Sequence, residues 1–232
     1  MPEKYLKMIL NSPVYDVAYE TPLDRVPRLS DKLENNIFIK REDLQPVFSF
    51  KIRGAYNKIV QLSPSEKQRG VIAASAGNHA QGVALAAERL RIKATIVMPE
   101  TTPEIKIDGV KKFGAKVILH GDDFSTAFAK AQEIANENSL VFIPPFDDPF
   151  VIAGQGTIAL ELLRQYTKNI HAIFVPIGGG GLIAGIGSYI KMVRPEIKII
   201  GVESDESASM HASIKKGRRI KLKNVGIFAD GV

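Results

Sequence analysis

From residue 70 onward, short apolar runs alternate with segments of helical period, and this rhythm constrains the fold more than any other feature of the chain. Residues 71–74 (VIAA), 94–98 (ATIVM), 116–119 (KVIL) and 141–143 (VFI) read as strands. Between them, 79–90, 103–113 and 124–138 carry apolar residues at helical spacing. After a break at Pro144-Pro145-Phe146-Asp147-Asp148-Pro149 the rhythm resumes, with helices over 151–166, 182–193 and 206–216 and strands over 170–175 and 197–202. Apolar strands separated by amphipathic helices pair in parallel and are covered by helices on both faces. The expected class is therefore α/β, and the break at 144–149 points to two such three-layer αβα units. Ahead of the alternation, residues up to about 36 read as a covering arm interrupted by Pro13, Pro22 and Pro27. A strand over 37–41 and a helix over 51–62 follow.

Composition narrows the chemistry. The chain has 232 residues, 45% of them hydrophobic, enough for a large core. It has no cysteine, which excludes disulfides, thiolate catalysis and thiolate metal sites. His79, His120, His171 and His211 lack metal-ligand spacing, so no metal is expected. The uncharged run 172–189 approaches membrane-spanning length, but Pro176 and six glycines make it a poor lipid-facing helix. It reads instead as a strand, a glycine loop and a helix. The N-terminus carries no apolar signal core. A cytoplasmic protein is expected, acting on a small molecule and binding neither membrane nor nucleic acid. Much of the net charge of +6 lies at 215–223, where no aromatic is interleaved, so a solvated turn is the reading.

Three stretches carry chemistry. In Ser49-Phe50-Lys51-Ile52-Arg53-Gly54-Ala55, Lys51 follows an almost wholly apolar run. Desolvation would lower its pKa toward a neutral, nucleophilic amine, and Arg53 close by would push the same way. Such an amine suits Schiff-base chemistry; the plainer alternative is a solvated lysine opening a helix. Gly178-Gly179-Gly180-Gly181-Leu182 joins a buried strand to a helix start. Four glycines there leave their N–H groups accessible and form a nest for an anion, or else a tightly packed turn. Neither Gly-x-x-x-x-Gly-Lys nor Gly-x-Gly-x-x-Gly is matched, so a monophosphate fits best. Finally, Ser75-Ala76-Gly77-Asn78-His79-Ala80-Gln81-Gly82 begins where the strand at 71–74 ends. Its first residues could hold a carboxylate at a helix start, and Asn78 could bond a phenolate oxygen; the alternative is an N-cap. His79 reads as a packed histidine.

Taken in chain order (49–55, 75–82, 178–182), the three stretches closely resemble the pyridoxal-phosphate enzymes of the tryptophan-synthase-β fold. Within that group, Lys40-Arg41-Glu42-Asp43-Leu44-Gln45-Pro46-Val47-Phe48-Ser49-Phe50-Lys51 resembles the biosynthetic threonine dehydratases, as do Thr21-Pro22-Leu23 and Pro144-Pro145-Phe146-Asp147. The resemblance implies that Lys51 carries pyridoxal 5′-phosphate and acts as general base. It implies that Asn78 bonds the ring's phenolate oxygen, that Gly178, Gly179, Gly180, Gly181 and Leu182 cradle the phosphate, and that Ser75, Ala76 and Gly77 hold the substrate carboxylate. The implied reaction converts L-threonine to 2-oxobutanoate and ammonia, opening isoleucine synthesis. A smaller inserted domain over 54–149 and a larger one from 1–53 and 150–232 are implied, with a homo-oligomer as the working assembly.

Members of this group continue well past the point matching Val232. The expectation is a catalytic domain incomplete at its C-terminus, an exposed apolar edge, and slow turnover by the chain alone. Serine dehydratases and racemases share all three motifs, and a non-catalytic cofactor-binding chain is a further alternative.

Overall fold

The computed structural model describes residues 2–222 together with Gly226 and Ala229. Lys223 of the basic run, and positions 224–225, 227–228 and 230–232, lie outside the described residues. In chain order the elements are α1 (Pro2–Leu10), β1 (Leu23–Arg25), α2 (Pro27–Lys32), β2 (Phe38–Lys40), α3 (Lys51–Val60), α4 (Pro64–Arg69), β3 (Val71–Ala74), α5 (Asn78–Leu90), β4 (Ala94–Met98), α6 (Glu104–Lys111), β5 (Lys116–Leu119), α7 (Phe124–Asn138), β6 (Val141–Phe142), α8 (Pro149–Gln165), β7 (Ala172–Pro176), α9 (Gly181–Val193), β8 (Lys198–Val202) and α10 (Ser209–Lys216).

The first large sheet has strand order β5-β4-β3-β6 and is parallel throughout. Its central strand is apolar at every position because helices cover both faces. Val71 and Ala73 join one core with Val83, Ala87 and Val110, whereas Ile72 and Ala74 join another with Ala127, Ala131 and Ala135 of α7. The period-two alternation of the strand thus feeds two cores at once. This sheet meets the sequence expectation.

A second parallel sheet pairs β7 with β8. Here helices cover one face only. Val175, Ile173 and Ile199 pack with Ile158, Ile186 and Ile190 of α8 and α9, while Phe174 and Val202 on the opposite face are 65% and 48% exposed. The exposed apolar surface thus includes a sheet face.

The covering arm holds a strand that the sequence reading passed over: β1 pairs antiparallel with β2. α4 was also passed over, although Ser63-Pro64-Ser65-Glu66 spells a capping box, and both of its hydrogen bonds are made. The break at 144–149 ends as a helix start, where Asp148 Oδ1 accepts the N–H groups of Phe150 and Val151.

α8 is the central helix, lying between α3 and α9. Close approach to α3 depends on paired glycines: a Cβ at Gly154 would come within 2.6 Å of the Arg53 carbonyl oxygen. On its other side α8 meets α9 as closely, where a Cβ at Gly185 would come within 2.4 Å of the Ile152 carbonyl oxygen.

Candidate active site

Lys51 is the first residue of α3. Its Nζ donates to the Pro145 carbonyl at 3.3 Å and lies 5.4 Å from the Phe50 ring centroid. It forms no ion pair with any described residue. Burial therefore lowers its pKa below the ordinary 10.5. The expectation that Arg53 contributes to this shift is overturned. Arg53 is fully buried, and its guanidinium donates to Glu42 Oε2 (Nε, 2.8 Å) and to both carboxylate oxygens of Glu161 (2.5 and 3.0 Å). Its charge is neutralised there, away from the Lys51 amine.

Sequence reasoning missed this cluster altogether. Lys40 Nζ lies 2.5 Å from Glu161 Oε2, and Tyr15 Oη donates to Glu161 Oε1 at 2.8 Å. A signal existed: Glu161 is the one charged residue in the helical stretch 151–163, and an acid on a buried face needs a partner.

The glycine loop runs from the end of β7 into α9. Gly180 is its N-cap, in the left-handed region at φ +89°, and no side chain caps the helix. The first-turn N–H groups are thus left for an external acceptor. Gly179 and Gly181 lie against Phe146: a Cβ at Gly179 would come within 2.1 Å of the ring, and one at Gly181 within 2.9 Å of the Phe146 carbonyl oxygen.

Lys51 and Gly178–Leu182 line one cavity, together with Phe50, Pro145, Phe146, Gln155 and Pro176. Its volume is about 50 Å³, room for a few waters or one small anion. Two sequence motifs separated by more than a hundred residues are brought together here.

Ser75, Ala76, Gly77 and Asn78 do not line that cavity. They are half-buried at the start of α5, which packs on α3 so closely that a Cβ at Gly82 would lie 3.2 Å from the Lys51 carbonyl oxygen. The capping alternative fails: the N-cap is Gly77, with no side-chain bond. Ser75 Oγ accepts the Gly77 N–H at 3.2 Å, and the Asn78 amide makes no hydrogen bond to a described residue. Behind them His79 is packed, as expected, with Nε2 2.9 Å from the Ile143 carbonyl oxygen. Burial, reinforced by the Lys51 charge, pushes its pKa down to about 4.

Residues 14–232 match the family model described as pyridoxal-phosphate dependent enzyme. The chain belongs to that family. Among pyridoxal-phosphate dependent enzymes of known structure, it superposes on the processed form of threonine deaminase isoform 2 from Solanum lycopersicum. The TM-score is 0.97 at 57% identity, covering 100% of this chain and 67% of that one. Maize serine racemase superposes with a TM-score of 0.94 at 33% identity, covering 97% and 69%. The biosynthetic L-threonine dehydratase IlvA of Pasteurella multocida is 59% identical over 99% of this chain and 44% of its own length. Its counterpart from Burkholderia multivorans is 56% identical over 98% and 45%. The chain thus spans under half the length of these curated relatives. Among the described residues, no helix is long and apolar enough to cross a membrane.

Proposed function

We propose that the protein converts L-threonine to 2-oxobutanoate and ammonia, with Lys51 as anchor for pyridoxal phosphate and general base. One observation carries the reading: a half-buried lysine, without an acidic partner among the described residues, shares a cavity with an uncapped, glycine-lined helix N-terminus. An amine and an anion nest lining one cavity suit an aldehyde bearing one phosphate. Identities of 56–59% to threonine dehydratases support the substrate.

When bound, pyridoxal phosphate supplies an electron sink for charge developing at the substrate Cα. The chain's residues do the rest. Gly178–Leu182 and the α9 dipole hold the phosphate. The depressed pKa of Lys51 keeps more of its amine neutral, so that it can take the Cα proton. Asn78, whose amide is unspent, bonds the ring oxygen. Ser75, Ala76 and Gly77, at the uncapped start of α5, receive the substrate carboxylate. Phe50, Pro145 and Phe146 exclude water around the amine.

In this reading 54–149 form a smaller inserted domain bearing the asparagine loop, and 1–53 with 150–232 form the larger one bearing the glycine loop. We place the enzyme in the cytoplasm as a homo-oligomer. Arg218, Arg219 and Lys221, which follow α10, are exposed, and we read them as solvated surface residues and not a nucleic-acid site.

Ketoacid release from L-threonine, with pyridoxal phosphate added, tests the reading. Release that disappears in Lys51→Ala is expected. Faster release from L-serine than from L-threonine would move the assignment toward the serine enzymes, which the likeness to maize serine racemase keeps in view.

A further inference from the structure

Gln155 lies in α8 and is 1% exposed, yet it lines the cavity shared by Lys51 and the glycine loop. Its carboxamide oxygen accepts the Gly54 N–H at 3.2 Å, a bond from α8 to the backbone of α3 close to Lys51. A backbone N–H can only donate, so this bond assigns the oxygen end of the amide. The other end, Nε2, lies against the Gly54 Cα, where a Cβ would approach it within 2.4 Å. Nε2 makes no hydrogen bond to any described residue. It is also absent from the fully enclosed atoms without a partner, which are Asn57 Oδ1 and Thr102 Oγ1. Gln155 is also a lining residue of the cavity, so a side-chain donor without a partner among the described residues borders the space beside the glycine loop.

Two donors that want an acceptor therefore meet in one small space: the uncapped N–H groups of α9 and a buried amide NH₂. An unpaired buried donor is costly, and a carboxamide beside an anion nest is repaid by the anion. We propose that Gln155 is a phosphate-binding residue. Its Nε2 donates to an oxygen of the phosphate held by Gly178–Leu182, adding one side-chain donor to a nest otherwise made of backbone. This rests on the reading of that loop as the phosphate cradle. Gln155 thus joins two tasks: its oxygen holds the helix that presents Lys51, and its nitrogen holds the ligand. Occupation of the cradle is thereby coupled to the position of the Lys51 helix.

Binding of pyridoxal 5′-phosphate, pyridoxal and inorganic phosphate to the purified chain tests the proposal by titration, without turnover. Gln155→Glu keeps an oxygen for the Gly54 N–H but replaces the donor with a negative charge. As a new buried acid it is expected to lower the Tm of the ligand-free protein, so binding is compared at temperatures where both proteins are folded. It should weaken pyridoxal 5′-phosphate and inorganic phosphate about ten- to a hundredfold and leave pyridoxal nearly unchanged. Gln155→Met, similar in length and without a donor, carries the same comparison if the glutamate variant fails to fold. Gly179→Asp separates the two readings. If it weakens phosphate binding while both Gln155 variants bind as the wild type does, the role of Gln155 is overturned and the cradle stands. If no variant weakens binding, both fall. Equal losses for pyridoxal and pyridoxal 5′-phosphate would place the amide away from the phosphate and overturn the proposal.

Discussion

The guanidinium of Arg53 meets the carboxylate of Glu161 in a two-pronged contact, Nη1 to Oε1 at 2.5 Å and Nη2 to Oε2 at 3.0 Å, with both side chains at 0% exposure. It ties α3, which presents Lys51, to α8, which presents Gln155. Glu42 and Lys40 complete the cluster from the arm. Its charges are balanced within a dry environment, so its stability depends on every member remaining in place.

Removing the charge at the centre should therefore be expensive. Glu161→Gln leaves Arg53 and Lys40 facing a neutral amide and is expected to lose about 3–5 kcal/mol in denaturant unfolding. Arg53→Lys should not restore the loss, since an ammonium cannot span two carboxylates with a planar fork. Wild-type stability in Glu161→Gln would show the cluster to be incidental.

Lys51 should cost the fold stability that its chemistry requires. Its folded pKa lies below the unfolded value, so between the two the unfolded chain binds more protons, and stability rises with pH through that window. Lys51→Met should flatten this rise and stabilise the protein at neutral pH by about 1 kcal/mol. The same variant should lose the visible absorption that the wild type gains with pyridoxal phosphate. A band that survives in Lys51→Met would remove Lys51 from its role.

The glycine loop should tolerate no side chain where Phe146 covers it. Gly179→Ala places a methyl group 2.1 Å from the ring, so the ring must move, whereas Gly179→Asp also brings negative charge to the nest. Losses of about ten- to a hundredfold in pyridoxal 5′-phosphate affinity are expected for the aspartate. Unchanged titration curves would refute the phosphate assignment.

Acid sensitivity should trace to His79. Its folded pKa of about 4 lies below the ordinary 6.5, so it contributes stability that is present above 6.5 and lost as pH falls through 4. Far-ultraviolet melts between pH 7 and 4 should show a shallower decline in His79→Gln, whose amide can still donate to the Ile143 carbonyl. Identical declines would assign the acid lability elsewhere.

The likeness to pyridoxal-phosphate enzymes could be read from the letters around Lys51, Asn78 and Gly178–Leu182, and the likeness to threonine dehydratases from residues 40–51; the family match and the identities agree. The parallel layers were equally legible, because a strand buried on both faces must be apolar throughout. Residues 71–74, 94–98 and 116–119 are strands as read. Such signals are local: they depend on period, caps and turn residues within a few positions of each other. What needed tertiary structure were the partnerships of charged and polar groups. Arg53 sits two residues from Lys51 in sequence and bonds an acid 108 residues away, which reverses the expectation that it acts on the lysine. Gln155 looks like any polar residue of an amphipathic helix until α8 packs on Gly54 and places it in the lining of the cavity that Lys51 and the glycine loop share. Helical period says which face of a helix is buried, but a buried polar group acquires its meaning from the atoms that meet it, and chain packing alone supplies those.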